Sequence, residues 1–379
     1  MKGTKPKILF IMHVPPPING ASVVGQNIMN STCLNTSFDA EYINLTTAFS
    51  LDKIGKYGTG KLFTLAKIQR KIVKALSQTD FDLCYMTLTA GGSGFLKDVF
   101  IVSLLKFYKK NIIFHFHNKG ISKFSGNSRH DRLYRYVFKN TKTIQLSPLL
   151  YDDISKYVAK KDVYFCPNGI QEDKNMSIDK VQVVYDEKVA KPVNILFLSN
   201  MMEEKGVLDL LQACKILNRD KLKFKCHFVG AWSDITEEFF YKTVSELNLK
   251  DKIQAYGKMY GNDKDSFLDE ADIFVLPTYY HNECLPLVLL EAMSRKLPIV
   301  STKEGAIPDV VIDGQTGILF EQRNIHSLAS ALKHLMSSQE LRIQMGHRGR
   351  ERFEANFTLE IFESNLCDIL NNAIEDFNK

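Results

Sequence analysis

The stretch ADIFVLPTYYHNECLPLVLLEAMSRKLPIVSTKEGAIPDVVIDGQTGIL, residues 271–319, decides how the second half of this chain folds. ADIFVLP is a short β-rich run ended by a proline. TYYHNEC is a polar turn, and PLVLLEAMSRK is a helix with Pro286 at its first position and basic residues in its last turn. LPIVST is the next strand, and the helix between the two strands is long enough only for a compact crossover. In such a unit, ligands collect outside the carboxyl ends of the strands, where a helix N-terminus presents unpaired N–H groups to an anion. The loop Thr278–Leu285 lies at that end. Glu283 therefore sits at the mouth of a site, and Glu291, five residues after Pro286, lies more than one turn into the helix. At this stage the two glutamates can be an acid–base pair or two readers of a bound ligand.

Working upstream, the α/β alternation begins at VNILFLS, followed by the loop NMMEEKG and the helical run VLDLLQACKIL. Lys205-Gly206 closes that loop at a second strand-to-helix turn, where a lysine can neutralise phosphate charge. FKCHFVG ends in Gly230, and KIQAYGKMYG is a further strand and turn. Asp263-Lys264-Asp265 spells D-x-D, a pattern that can hold a metal–nucleotide complex. Just before a helix, however, acidic residues are common for dipole reasons alone, and that is how it is read.

The first half has its own alternation. KILFIMHV is a buried strand leading through PPPINGASVVGQNIM, whose Asn19-Gly20 precedes a helix; Gly20 permits close backbone approach to a ligand or simply a tight turn. DAEYINLT and FDLCYMTLT are strands, and AGGSG is a turn into the apolar helix FLKDVFIVSLLKFYKK, which is expected to pack against the sheet. Between these strands, residues 61–76 form a helix with Leu65, Ile68, Ile72 and Leu76 on one face and Lys67, Arg70, Lys71 and Lys74 on the other. Lys53, Lys56 and Lys61 extend its basic character. Such a stripe is a solvated face or a contact with anionic headgroups or a pyrophosphate-bearing acceptor. In NIIFHFHNKG, His115 and His117 point to one face; His117, nearer the strand end, is placed to meet a ligand, and His115 reads as a core residue. TKTIQLSPLL and DVYFCPNGI read as two more strand-like runs.

A chain of 379 residues accommodates two domains, and the polar, irregular run after Pro167-Asn168-Gly169 is the best linker. The expected division is 1–172, a linker over 173–192, 193–356, and a terminal amphipathic helix in 357–379. Net charge is a modest +6, and nothing points to nucleic acid. Seven scattered cysteines without a C-x-x-C pair argue for a reducing compartment, with no disulfide frame and no zinc site. The N-terminus reads as a strand and not as a signal peptide, and no apolar run approaches the ~18 residues of a membrane span. A cytoplasmic protein, at most attached to the inner face of the cell membrane, is expected.

With these residues in hand, residues 271–320 resemble the signature of the retaining nucleotide-sugar glycosyltransferases of family 4. The match comprises E-x7-E at Glu283 and Glu291, then EAM, PIV, the run Gly305–Asp309 and DGQTG at 313–317. Weaker echoes are the Gly20 loop, the strand ending in His117, PNG, Lys205-Gly206 and Gly230. The resemblance implies an α/β GT-B fold, in which two Rossmann-like domains face each other across a cleft and the C-terminal helix crosses back to the first. It implies that Glu283 contacts donor-sugar hydroxyls, that Glu291 holds the ribose, and that the amides of Leu287 and Val288 with Lys205 receive the diphosphate. His117 and Gly20 would reach the donor from the first domain. Asn200 stands where the family usually has an arginine, and Pro286 offers no N–H. The implied reaction is metal-independent transfer of a hexose, from a UDP-sugar by preference, to a saccharide or an undecaprenyl-diphosphate-linked acceptor in bacterial surface polysaccharide synthesis. An epimerase or phosphorylase on the same fold, or a weakly catalytic binding-only paralogue, is the alternative.

Overall fold

The structure, a computed structural model, describes residues 5–46, 59–172 and 191–379. Lys53, Lys56, the side chain of Lys61 and nearly all of the expected linker lie outside the described residues. The chain divides into two compact units, Met1–Gly169 with Leu359–Lys379, and Ile170–Thr358.

In the first unit, β1 (Lys7–Met12), β2 (Asp39–Asn44), β3 (Leu83–Thr87), β4 (Ile112–His115), β5 (Lys142–Gln145) and β6 (Val163–Phe165) form one parallel sheet in the order β2-β1-β3-β4-β5-β6. Its central strands are apolar almost throughout because helices cover both faces. The connections are α1 (Gly20–Asn30), α2 (Thr32–Ser37), α3 (Thr59–Gln78), α4 (Gly92–Phe107), α5 (Ile121–Phe124) and α6 (Ser128–Phe138). Leu9, Ile11, Cys84, Met86 and Phe114 share one core with Ile68 and Ile72 of α3, Val102 of α4 and Phe138 of α6. The alternate residues Phe10, Tyr85 and His115 face the other side. TKTIQLSPLL is a strand only as far as Gln145: Pro148 cannot continue a ladder, and Ser147 Oγ accepts the Leu149 amide at 3.0 Å to start a 3-10 turn over Pro148–Asp153.

In the second unit, β7 (Val193–Leu198), β8 (Phe224–Val229), β9 (Ile253–Ala255), β10 (Ile273–Leu276), β11 (Ile299–Thr302) and β12 (Gly317–Phe320) form a parallel sheet in the order β12-β11-β10-β7-β8-β9. Its helices are α7 (Val207–Arg219), α8 (Glu237–Glu246), α9 (Gly261–Glu270), α10 (Leu287–Ser294), α11 (Ile307–Val310), α12 (Ile325–Ser337) and α13 (Gln339–Asn356). The strand order turns back on itself between β7 and β10, and in the first unit between β1 and β3. These are the switch points, outside whose strand carboxyl ends ligands of open α/β sheets collect.

Three local expectations change. Pro286 caps α10 from outside in extended backbone, its carbonyl accepting the Leu289 amide at 3.1 Å. The basic residues Arg295 and Lys296 lie past the helix, because the Leu297 amide closes back onto the Ala292 carbonyl at 3.0 Å and Lys296 turns out with φ 56°. Asp263–Asp265 lies inside α9 and not before it.

The final helix, α14 (Leu359–Phe377), completes the first unit by packing on α2, with Phe362, Leu366 and Leu370 buried and the thiols of Cys33 and Cys367 3.0 Å apart. Leu366 is fully buried. Leu366→Ala is expected to cost about 2–5 kcal/mol, with the added hydrogen exchange appearing in β1–β6 and sparing β7–β12.

Candidate active site

Of the sequence-derived site residues, Lys205, Asn200, Glu283, Leu287, Val288 and Glu291 lie in the second unit, and Gly20 and His117 in the first. Lys205 ends the loop after β7 and Glu283 stands in the loop after β10, the two strands flanking the switch point. Their meeting is enforced by backbone. The Tyr279 amide donates to the Glu204 carbonyl at 2.8 Å, and Thr278 Oγ1 reaches the same carbonyl at 3.3 Å. Gly206 turns with φ 81° against Pro277, whose carbonyl oxygen would lie 2.2 Å from any Cβ placed there. Thr278, fully buried, is fixed from below by Thr302 Oγ1, which donates to its carbonyl at 2.5 Å.

On this frame the Lys205 ammonium pairs with Glu283 Oε2 and stands 4.8 Å from the centre of the Tyr280 ring. The Glu283 amide closes a turn onto the Tyr280 carbonyl at 2.8 Å. Behind this loop, Gly305 adopts φ 56° with the Glu283 and Cys284 carbonyls 2.4 and 2.6 Å from where a Cβ would be. The Ala306 amide donates to the Cys284 carbonyl at 2.7 Å, and Glu304 Oε1 accepts the Gly305 amide at 3.0 Å. The Gly305–Asp309 run is thus the back wall of the Glu283 loop. DGQTG has a different use: Asp313 Oδ1 accepts the Leu319 amide, and Gly317 lies where a Cβ would meet the Ile299 carbonyl, so the run is the turn that starts β12.

Leu287 and Val288 are the first two residues of α10, where no preceding turn supplies carbonyls for their amides; both are half-buried. Glu291 follows one turn later on the same helix. Lys264 of α9 holds its Oε1 at 2.9 Å, while Oε2 is buried without a partner, an acceptor set to receive a hydroxyl. Lys264 was invisible as a partner because only its local D-x-D setting could be read, and Tyr280 carried no local signal either. Asn200 is exposed after β7, and its carbonyl accepts the Met202 amide at 2.8 Å. Gly230 is compelled by the Ser199 carbonyl, 1.7 Å from a would-be Cβ. An open hollow of about 810 Å³ lined by Gln212, Arg219, Asn248 and Arg323 includes none of these residues.

In the first unit, β4 ends at His115 and His117 follows in a bend. His115 Nδ1 meets the Tyr85 hydroxyl at 2.7 Å, as a core residue should, and its ring centre lies 4.3 Å from that of His117. Both nitrogens of His117 are buried without a partner. Burial holds His117 down at about 4. His13, after β1, is held at about 3 by burial and then by the charges of Lys97 and His117. His13 was missed, although it shares the signal that marked His117: an imidazole just past the carboxyl end of a strand. Gly20 opens α1 in free space, and Asn19 caps that helix by accepting the Ser22 amide at 3.0 Å.

Two tests follow from this geometry. Gly305→Ala combines a left-handed backbone with a clash on the Glu283 carbonyl, so it is expected to lower stability by at least ~1 kcal/mol and to weaken ligand binding at the loop. Thermal unfolding and titration measure the two effects. The histidine shifts also set a sign. A folded-state value below the ordinary 6.5 of histidine means that the unfolded chain binds more protons, so stability is lost as pH falls from about 6.5 toward 4. Replacing His117 by Asn should flatten the stability–pH slope by about 1.4 kcal/mol per pH unit between pH 6 and 4.5, measured by urea unfolding.

The family model described as glycosyl transferases group 1 matches residues 185–352. The capsular polysaccharide biosynthesis glycosyltransferase CapM of Staphylococcus aureus is 25% identical over 210 residues, 55% of this chain and 54% of that protein, so the chain spans about half of that relative's length. The amylovoran biosynthesis glycosyltransferase AmsK of Erwinia amylovora is 25% identical over 341 residues, covering 85% of this chain and 80% of that protein. Among solved structures, the sucrose-phosphate synthase of Thermosynechococcus elongatus superposes with a TM-score of 0.74 at 16% identity, over 98% of this chain and 100% of that one. Anabaena HepE in complex with UDP gives 0.73 at 16% identity, over 97% and 100%. This likeness establishes the two-sheet GT-B fold. Over residues 185–352, the chain is similar to the group 1 glycosyl transferases.

Proposed function

We propose that this protein is a retaining hexosyltransferase that takes its sugar from a nucleotide diphosphate donor and serves bacterial surface polysaccharide synthesis. The observation that carries the reading is the Lys205–Glu283 ion pair at the β7/β10 switch point, four residues before the open amides of Leu287 and Val288. Breaking the bond between a sugar and a diphosphate places negative charge on the leaving group, and preorganised cations and dipoles there are the largest lever a protein has. Lys205 and the start of α10 would supply them, so the chemistry asks for no metal. Glu283, released as Lys205 turns to the diphosphate, would accept hydroxyls of the hexose, and the open Oε2 of Glu291 would take the ribose. In the first unit, His117 is held neutral at physiological pH by burial, so it offers hydrogen-bonding nitrogens and not a cation.

A UDP-sugar is the favoured donor, supported by the solved HepE complexes with UDP and UDP-glucose. The retained configuration fits front-face attack, with a diphosphate oxygen helping to deprotonate the acceptor hydroxyl, so no enzyme nucleophile is required. Asn200 leaves one cation fewer on the leaving group. The acceptor would be a saccharide, or one carried on undecaprenyl diphosphate, and the basic face of α3 would meet the anionic membrane holding such a carrier.

Calorimetric titration with UDP, paired with assay of donor hydrolysis and transfer, tests the reading. Lys205→Ala should weaken UDP binding by about 1.5–3 kcal/mol. Glu283→Ala should leave UDP binding intact or tighter, since it frees the lysine, and should lower transfer by roughly 10²-fold or more. Full transfer by Glu283→Ala would remove that residue from the site. Failure of the wild type to bind any nucleoside diphosphate would remove the donor reading altogether.

A further inference from the structure

The first unit carries an apolar row that its own core does not use. α4 packs on the sheet through Phe95, Ile101, Val102 and Leu105, all fully buried. The sequence reads α4 as an apolar helix packed against the sheet, and the face turned away from the sheet leaves Leu96, Phe100 and Phe107 exposed by 42, 61 and 79%. Spaced by four and seven residues, these three stand in line along the helix. Beside α4, α3 turns outward Phe63, 77% exposed, followed by Lys67, Arg70, Lys71 and Lys74, all exposed. α3 contains no acidic residue, and none of those four cations makes an ion pair with a described residue. On the other flank, α6 presents Arg129, Arg132 and Tyr136 to solvent. The acids of this layer are spent: Asp98 is fully buried, and Asp131 is held by Arg135 at 2.9 Å and Lys156 at 2.7 Å.

Exposed aromatic side chains flanked on both sides by unpaired cations match one kind of partner: a surface that is anionic at the level of the cations and hydrocarbon just beneath. We propose that the outer face of α3, α4 and α6 docks onto a bilayer of anionic phospholipid, with Leu96, Phe100 and Phe107 entering the headgroup–acyl boundary while Lys67, Arg70, Lys71 and Lys74 lie among the phosphates. A second copy of this chain fits less well, because a twofold contact would bring the same uncompensated cations face to face. The inference deepens the membrane contact read from α3. It makes the apolar row of α4 the part that inserts, so that binding persists where salt screens the charges.

Flotation with vesicles in buffer of physiological salt tests it. Wild-type protein should float with phosphatidylglycerol-containing vesicles and stay behind with pure phosphatidylcholine. Phe100→Ser combined with Phe107→Ser, both solvent-facing changes, should lower the bound fraction on the order of tenfold or more. Neutralising Lys67, Arg70, Lys71 and Lys74 to Gln should lower it on the order of a hundredfold. A serine variant that floats as well as wild type overturns the insertion, and equal flotation on pure phosphatidylcholine overturns the charge assignment. Wild type that fails to float and elutes as a dimer, which the serine variant converts to monomer, gives the face to a second copy and overturns the proposal. UDP titration of the same preparations reads the second unit separately, so loss of nucleotide binding would count against the transferase reading and leave the vesicle result standing.

Discussion

The second unit depends on four loops approaching one another more closely than side chains allow. At Gly206 and Gly305, in left-handed backbone, and at Gly230, a methyl group would fall between 1.7 and 2.4 Å from a carbonyl oxygen of the neighbouring loop. The loops after β7, β8, β10 and β11 can therefore lock into one rim at the carboxyl end of the sheet. Lys205 and Glu283 are 78 positions apart in sequence, and they meet because the rim is this tight. The rest of the site follows from it: the Glu283 loop leads straight into α10, and α10 carries Leu287, Val288 and Glu291.

The two units use the same topological device with opposite electrostatics. At its switch point the second unit places a cation against a carboxylate, a pair whose members can be traded for an anionic ligand. The first unit places imidazoles that burial keeps uncharged, with nitrogens of His13 and His117 lacking partners. A group that must be neutral to be buried and a pair that must be charged to be useful are complementary ways of equipping strand ends. Each costs stability through desolvation and is tolerated because the surrounding sheet is rigid.

Much of this was legible in the sequence. Strand–helix alternation and the position of Lys205 before a glycine mark the second unit's candidate site through local patterns with local physical causes, and the E-x7-E run marks it through the family resemblance. The contacts that refine the site are not local. Lys264 meets Glu291, and Tyr280 faces Lys205, through tertiary packing that no window of sequence encodes. Other errors came from boundaries: Pro286 caps α10 from outside, and Asp263–Asp265 falls within α9, since a helix starts where its first hydrogen bonds close and not where favourable residues begin. The exposed row on α4 escaped because an apolar helix reads as buried, and only the finished packing reveals which of its sides the core leaves uncovered. His13 could have been found by applying to β1 the rule that found His117 on β4.

The placement of α14 has a consequence for how the protein comes into being. β1–β6 leave the ribosome first, but the helix that packs on α2 is encoded after the entire second unit. At ~5–20 residues per second, the apolar side of α2 stays uncovered on the order of ten seconds or longer while residues 170–358 are made. The first unit thus begins to fold early and closes last. In that interval the nascent chain carries a vacant seat that a chaperone, or the α14 of a neighbouring copy, can occupy before its own arrives.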